Sequence, residues 1–264
     1  MRTAIQESRS KKQSQNKKLK PSPLLKLDAR NFFRLSNGTI LTAPPAVPFR
    51  GMFAEIFESA CYLPSSAFRI GAKDTVLDIG ANVGLYSIWV SSNAPSARIF
   101  AFEAASDNFL ALAENIRTNR LKRISAHHYA VSDGRSRHVT LYRGLHGGIH
   151  SIRPEYHNWD SSTGSPRPTE KVPTITLERI FQRFKIKTVD CMKLDCEGAE
   201  YEILFSTPAR ILSRIRKIVG EYHDLNADLH GGALKEFLTK NGFQTAFKAA
   251  GPDMPWGMFV AALS

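Results

Sequence analysis

Long apolar runs are missing from this sequence, and none approaches the roughly 20 residues that a membrane-spanning helix requires. The basic start of the chain continues into further polar residues, so the pattern of a secretory signal peptide is also absent. The composition, 42% hydrophobic and 23% charged, is typical of a soluble globular protein. A length of 264 residues suits one full-sized domain with appended segments.

Cysteine is scarce and is not spaced for metal binding or for a disulfide framework. The chain has three, Cys61, Cys191 and Cys196, and no CxxC pair. An odd number without such spacing argues against both a disulfide scaffold and a structural zinc site. These features favour a reducing compartment, and we expect a cytoplasmic protein.

Positive charge is concentrated at the N-terminus. The net charge is +12, and residues 1–20 contribute seven basic side chains against Glu7 alone. This segment lacks the apolar residues needed to fold, so we expect a disordered basic leader over residues 1–22. A solvated leader is the simplest interpretation. A tail that binds RNA or an anionic membrane surface is the alternative, and an organelle transit peptide is disfavoured by the lysine bias.

The rest of the chain divides into an approach segment and one large domain. Residues 23–73 are punctuated by proline, and residues 51–63 (GMFAEIFESACYL) predict a helix. From residue 74 to 264, apolar runs alternate with helical patterns, which is typical of an α/β fold with a mostly parallel sheet and helices on both faces. Strands are predicted at residues 75–79, 98–102, 125–131, 138–144, 188–194, 217–222 and 258–262, and helices at 85–92, 107–119, 177–183, 199–206 and 233–241.

Residues 144–169 contain few apolar residues and many Gly, Ser, Pro and His. A segment this long without regular structure inside a compact domain is usually a lid or a binding loop. The alternative is a surface insertion without a role in function.

The loop after the first predicted strand has no third glycine. It reads DIGANVG over residues 78–84, whereas dinucleotide sites use G-x-G-x-x-G to receive a pyrophosphate. Asp78 would repel a pyrophosphate, but it suits a ligand with cationic groups such as S-adenosylmethionine. Gly80 and Gly84 would let the backbone approach that ligand. The alternative is a tight turn in which Asp78 caps the following helix.

A second acid supports a nucleoside-containing cofactor. Glu103 ends the next predicted strand, twenty-five positions after Asp78. An acid at about this spacing binds the ribose hydroxyl pair in related α/β folds. Because nicotinamide enzymes also place an acid there, Glu103 alone does not distinguish the two cofactors.

Four stretches together resemble the FkbM family of S-adenosylmethionine-dependent methyltransferases: VLDIGANVGLYS, FEAASDNFLALAENIRTN, AVSD and VDCMKLDCEGAEYEIL. The similarity runs from about residue 55 to the C-terminus, with Cys196 at a position where a small aliphatic residue is usual. The resemblance implies a class I methyltransferase (Rossmann-like) fold and O-methylation of a hydroxyl on a small molecule or glycan, with S-adenosyl-L-methionine as cofactor. The cofactor residues it implies are Asp78, Gly80, Ala81, Asn82, Gly84, Glu103 and Ala104, with Ala130 and Val131 at the adenine.

Candidate catalytic groups follow the fourth and fifth strands of the predicted sheet. KLDCEGAE places Asp195 and Glu197 at one strand end, and VGEYHD places His223 at the next. A hydroxyl acceptor needs a base within hydrogen-bond reach, and a histidine with a pKa near 6.5 suits that role at neutral pH. We therefore predict Asp195, Glu197 and His223 as catalytic residues. The same three side chains are also suitable ligands for a divalent metal, although no spacing motif requires one.

Three other functions stay open at this point. One is an RNA ribose methyltransferase anchored by the leader. The [N/D]-P-P-[Y/F/W] loop of base-amine methylases is absent, and DCEG stands in its place. Another is a protein that binds the cofactor without turnover, and the last is a nicotinamide oxidoreductase. The acceptor and the oligomeric state are not encoded in any recognisable pattern.

Overall fold

The computed structural model describes residues 25–26, 32–63, 65–144, 149–153, 159–160 and 165–264. The predicted leader at 1–22 lies outside the described residues, as does much of the predicted loop at 144–169. Within the described part of the chain, no helix is both long enough and apolar enough to cross a bilayer.

The chain alternates strands and helices from β4 onward, as the apolar pattern predicts. The strands are β1 (Leu25–Lys26), β2 (Phe32–Arg34), β3 (Ile40–Thr42), β4 (Thr75–Ile79), β5 (Arg98–Glu103), β6 (Ile124–His128), β7 (Ala130–Val131), β8 (His138–Tyr142), β9 (Trp159–Asp160), β10 (Ser165–Pro166), β11 (Thr169–Ile175), β12 (Cys191–Leu194), β13 (Lys217–His223), β14 (Phe243–Ala249) and β15 (Trp256–Leu263). The α-helices are α1 (Phe49–Phe53), α2 (Leu85–Asn93), α3 (Ser106–Thr118), α4 (Leu177–Arg183), α5 (Glu200–Ser206), α6 (Ala209–Leu212) and α7 (Gly231–Lys240).

Seven strands form the central sheet in the order β14-β15-β13-β12-β4-β5-β6. The pairs from β13 through β12, β4 and β5 to β6 are parallel, and β15 is antiparallel to both of its neighbours. One core packs α1, α2 and α3 against one face, and a second core packs α4, α5 and α7 against the other. This is the predicted α/β architecture, a mostly parallel sheet with helices on both faces. The strand order reverses beside β4, so the carboxyl ends of β4, β5, β12 and β13 border a common crevice, where ligands bind in such sheets.

Two predicted elements differ from the structure. The single strand predicted at 125–131 is two strands, because the chain leaves the central sheet after β6 and β7 pairs instead with β11. The helix predicted at 51–63 starts at Phe49 and continues as a π-helix over Ala54–Glu58. It ends there, and Ala60 has a left-handed φ of 50°. Strands β11 and β14 were not predicted, although burial alternates along most of β14.

Candidate active site

A cavity of about 470 Å³ lies at the carboxyl ends of β4, β5, β12 and β13. This volume is within the range of roughly 300–1,000 Å³ that holds small molecules and cofactors. The structure brings ten of the twelve predicted site residues into its wall: Gly80, Ala81, Asn82, Glu103, Ala104, Ala130, Val131, Asp195, Glu197 and His223. The other two, Asp78 and Gly84, are not in the wall.

The turn after β4 is held by backbone contacts to the strands beside it. The N–H groups of Gly80 and Ala81 donate to the Phe102 carbonyl at 3.0 and 2.9 Å. Gly80 has a φ of +73°, and a Cβ there would lie 1.8 Å from the Asp195 carbonyl oxygen. Only glycine fits this position, because the turn after β4 packs directly against the turn after β12.

Asp78 was predicted to contact a cationic ligand, but its side chain is not part of the cavity wall. Its side chain is fully buried under the cavity floor. Oδ2 accepts a 2.6 Å hydrogen bond from Ser87 Oγ, and Oδ1 lies 3.6 Å from Lys193 Nζ. Burial raises the pKa of Asp78, and the Lys193 ammonium opposes that effect. Asp78 therefore acts on α2 and on Lys193, and the acidic character of the cavity comes from other residues.

Gly84 packs helices together instead of giving a ligand access to the backbone. It precedes α2 with a φ of +89°, and a Cβ there would lie 2.5 Å from Leu112 Cδ1. Its lack of a side chain lets the start of α2 approach α3.

Glu103 ends β5 with its carboxylate at the cavity wall. Oε2 accepts the Asn82 N–H at 2.7 Å, and Oε1 accepts the Ala105 N–H at 2.8 Å. Burial raises the pKa of Glu103 to about 7, against the opposing effect of these two hydrogen bonds. Each oxygen has a second lone pair, so the carboxylate retains capacity for ligand hydroxyl groups.

Lys193 links the turn after β4 to the end of β12 as a buried ion-pair partner. Its Nζ donates to the Gly80 carbonyl at 2.7 Å and lies 3.1 Å from Asp195 Oδ2. Burial disfavours the ammonium, but the Asp195 and Asp78 carboxylates raise the pKa of Lys193 above its usual range. Burial alone would raise the pKa of Asp195. The ion pair with Lys193 outweighs burial and lowers the pKa of this carboxyl. This shift favours the charged carboxylate of Asp195.

His223, predicted as the base, lies between two glutamates. Nε2 is 3.5 Å from Glu197 Oε2, and Nδ1 is 3.4 Å from Glu200 Oε1. Burial opposes the charged ring, but the flanking carboxylates raise the pKa of His223 to about 10. This shift favours the charged imidazolium at neutral pH.

Glu197 has the properties of a base in this cavity. It sits at a left-handed φ of 51°, in the turn between β12 and α5. Burial and the negative charge of Asp195 raise the pKa of Glu197 to about 8. A carboxylate with a pKa near the working pH is an efficient proton acceptor. Glu200 has a different role, because its Oε1 accepts the N–H groups of Cys196 and Gly198 within the same turn.

Several wall residues were not predicted as site residues. Glu221 lies beside His223 at the end of β13, and burial together with Asp195 raises its pKa to about 8. Glu55 and Tyr62 come from the approach segment. The VGEYHD motif contains a signal for Glu221, since it ends a strand at the same edge. No sequence signal connects residues 55 and 62 with strands more than one hundred positions away.

The cavity wall is rich in carboxylates and has few cations. In the part of the chain that the structure describes, no group of three or more His, Cys, Asp or Glu side chains is arranged to hold a metal ion. Glu103, at the end of β5, and Glu197 with Glu221, at the ends of β12 and β13, border the same cavity. The arrangement can bind hydroxyl groups near one end and accept a proton near the other.

The chain is similar to known methyltransferases. The profile of the methyltransferase FkbM domain matches residues 78–245, more than half of the chain. The chain is 27% identical over 238 residues to 31-O-demethyl-FK506 methyltransferase FkbM of Streptomyces tacrolimicus, covering 82% of this chain and 90% of that protein. It is 25% identical over 225 residues to methyltransferase 1 of Beauveria bassiana, covering 78% and 87%.

A solved structure also aligns with the chain. It is methyltransferase FkbM from Methylobacillus flagellatus KT, with a TM-score of 0.49, 15% identity, and coverage of 76% of this chain and 46% of that chain. The match to the family profile includes β5, β12, β13 and the end of β4, the strand ends that form the cavity. This chain belongs to the FkbM family of methyltransferases.

Proposed function

We propose that the protein transfers a methyl group from S-adenosyl-L-methionine to a hydroxyl group of a small molecule or glycan. The observation that carries this proposal is the pairing of two different glutamates in one cavity. Glu103 is fixed by backbone N–H groups at the end of β5, and Glu197 carries a raised pKa at the end of β12. The first suits a ribose, and the second suits an acceptor hydroxyl.

The residues present fit the proposed methyl donor. The carboxylate of Glu103 can accept the two hydroxyl protons of a ribose. The small residues Ala130 and Val131 leave space for an adenine beside it, and the turn at Gly80 to Asn82 lines the adjacent wall. S-adenosyl-L-methionine carries a sulfonium and an ammonium, and a wall rich in carboxylates is compatible with both.

When bound, the donor supplies an electrophilic methyl group for an in-line displacement. The protein then has to align the acceptor, exclude water and remove one proton. We assign proton removal to Glu197 and assign to the His223 imidazolium the task of orienting that carboxylate. The 31-O position in the name of the Streptomyces relative supports an oxygen acceptor.

The acidic wall disfavours the RNA alternative. The reacting atom of an RNA would enter with its phosphates, and the wall presents Glu55, Glu197 and Glu221 where phosphate binding needs basic side chains. The leader on which that alternative depends lies outside the described residues.

The decisive experiment is transfer of labelled methyl groups from S-adenosyl-L-methionine to fractionated small-molecule and glycan extracts. We expect labelled products whose methyl group is attached to oxygen, identified by mass spectrometry. Label found only in RNA would favour the alternative, and an absence of transfer to every fraction would contradict the proposal.

Replacement of Glu103 tests the cofactor half of the cavity. We expect Glu103→Ala to weaken binding of S-adenosylhomocysteine by about 10- to 100-fold, since a hydrogen bond to a charged group contributes about 1.5–3 kcal/mol. Isothermal titration calorimetry measures the effect. Glu114→Ala is the control, because Glu114 is on the adjacent helix α3 and accepts hydrogen bonds from Arg117 and Thr118 of the same helix, outside the cavity wall. Equal affinities in the two variants would remove Glu103 from the cofactor site.

A further inference from the structure

Tyr62 brings a hydroxyl group into the cavity from outside the matched family domain. It precedes β4, whereas the family profile begins at residue 78. The side chain is buried, with 7% of its surface exposed. Its hydroxyl donates to Asp195 Oδ2 at 2.9 Å and lies 3.4 Å from Glu221 Oε1.

The ring of Tyr62 is fixed on two sides. Its edge packs against Tyr86 with a centroid distance of 5.5 Å, and Lys193 Nζ lies 5.4 Å from its centre. The hydroxyl therefore has little freedom to move away from the carboxylates. A conservative change to phenylalanine would keep both ring contacts and remove only the donor.

A phenol has one proton, and here two carboxylates compete for it. Asp195 also receives Lys193 Nζ at 3.1 Å. Glu221 forms no ion pair with a lysine or arginine in the described part of the chain, and Tyr62 is its only described side-chain donor. The hydroxyl thus lies between the two carboxyl groups and links them.

We propose that Tyr62 is a positioning residue for methyl transfer, which holds Asp195 against Lys193 and keeps Glu221 at the acceptor side of the cavity. The proposal rests on the proposed function. Because the donor favours the charged form of Asp195, its loss is expected to raise the pKa of that carboxyl. Displaced carboxylates are expected to slow transfer while the cofactor half stays intact.

The test compares Tyr62→Phe with Tyr222→Phe in the full chain. Tyr222 is also 7% exposed, but it is not in the cavity wall. For Tyr62→Phe we expect methyl transfer to a fraction modified by the wild type to fall about 10- to 100-fold. We expect the affinity of Tyr62→Phe for S-adenosylhomocysteine to stay unchanged. We also expect its Asp195 carboxyl to titrate at higher pH than in the wild type. Carbon-13 NMR follows this titration, and the Asp195→Asn variant assigns the signal.

Two outcomes would overturn the proposal, and they differ in meaning. An active wild type with equal rates and equal Asp195 titration in the two phenylalanine variants would refute the role of Tyr62 alone. An inactive wild type would refute the proposed function and this inference with it. Thermal unfolding of both variants excludes misfolding as the cause of a lower rate.

Discussion

Glu197→Gln is expected to lower the rate of methyl transfer by about 10²- to 10⁴-fold, the usual contribution of a general base. Glutamine keeps the length and shape of the side chain, but it cannot take the proton from the substrate hydroxyl. Binding of S-adenosylhomocysteine is expected to stay within about twofold of the wild type, because Glu103 at the end of β5 is unaffected. Labelled transfer to the modified fraction and calorimetry measure the two quantities.

The pH dependence of the wild type follows from the same residue. The pKa of Glu197 is raised to about 8, so the carboxyl holds its proton below that pH and is inactive as a base. The rate is expected to rise about tenfold per pH unit up to near pH 8 and then to level off. In Glu197→Gln this rise is expected to disappear.

Glu202→Gln is the matched control for this substitution. Glu202 lies five positions further along the chain, with 21% of its side chain exposed against 24% for Glu197, and it pairs with Arg153 outside the cavity wall. We expect this control to keep the wild-type rate and pH profile. A Glu197→Gln variant that retains more than half of the wild-type rate would exclude Glu197 as the base.

The sequence predicts the parallel sheet and the site edge well, because both depend on local patterns. Buried parallel strands appear as continuous apolar runs, and the residues that follow them lie at one edge of the sheet. Glu103, Asp195 and Glu197 were predicted on that basis, and all three line the cavity. The match to the family profile confirms the resemblance carried by the same strand ends.

Protonation states and long-range contacts could not be predicted in this way. A histidine at a strand end suggests a base, but the pKa of His223 depends on two glutamates that approach it only in the folded chain. Strand alternation does not reveal that Asp78 faces Ser87 below the cavity. Tyr62 is 133 positions away from Asp195 in the sequence, and only the fold brings them together.

The buried ion-pair cluster around Lys193 accounts for a second large expected effect, this time on stability. Lys193→Met is expected to lower the free energy of unfolding by about 3–5 kcal/mol, the usual result of removing one partner from a buried pair. Methionine fills a similar volume, but it leaves the Asp78 and Asp195 carboxylates without their cation. It also removes the donor to the Gly80 carbonyl, which holds the turn after β4.

The direction in which the loss of stability changes with pH shows whether Lys193→Met removes charge pairing or only packing. In the wild type the neighbouring carboxylates raise the pKa of Lys193. The stability that the Lys193 ammonium contributes is therefore fully present at neutral pH, and it is lost only as the pH rises through this raised pKa. In Lys193→Met the buried carboxyls are expected to hold protons more tightly, and the deficit is expected to shrink from about pH 8 to about pH 5. Urea unfolding followed by tryptophan fluorescence measures this deficit at both pH values. Lys248→Met is the control, because Lys248 is exposed, and we expect its stability to stay within about 0.5 kcal/mol of the wild type. A deficit that is below about 1 kcal/mol, or that is the same at both pH values, would show that the three charges do not depend on one another.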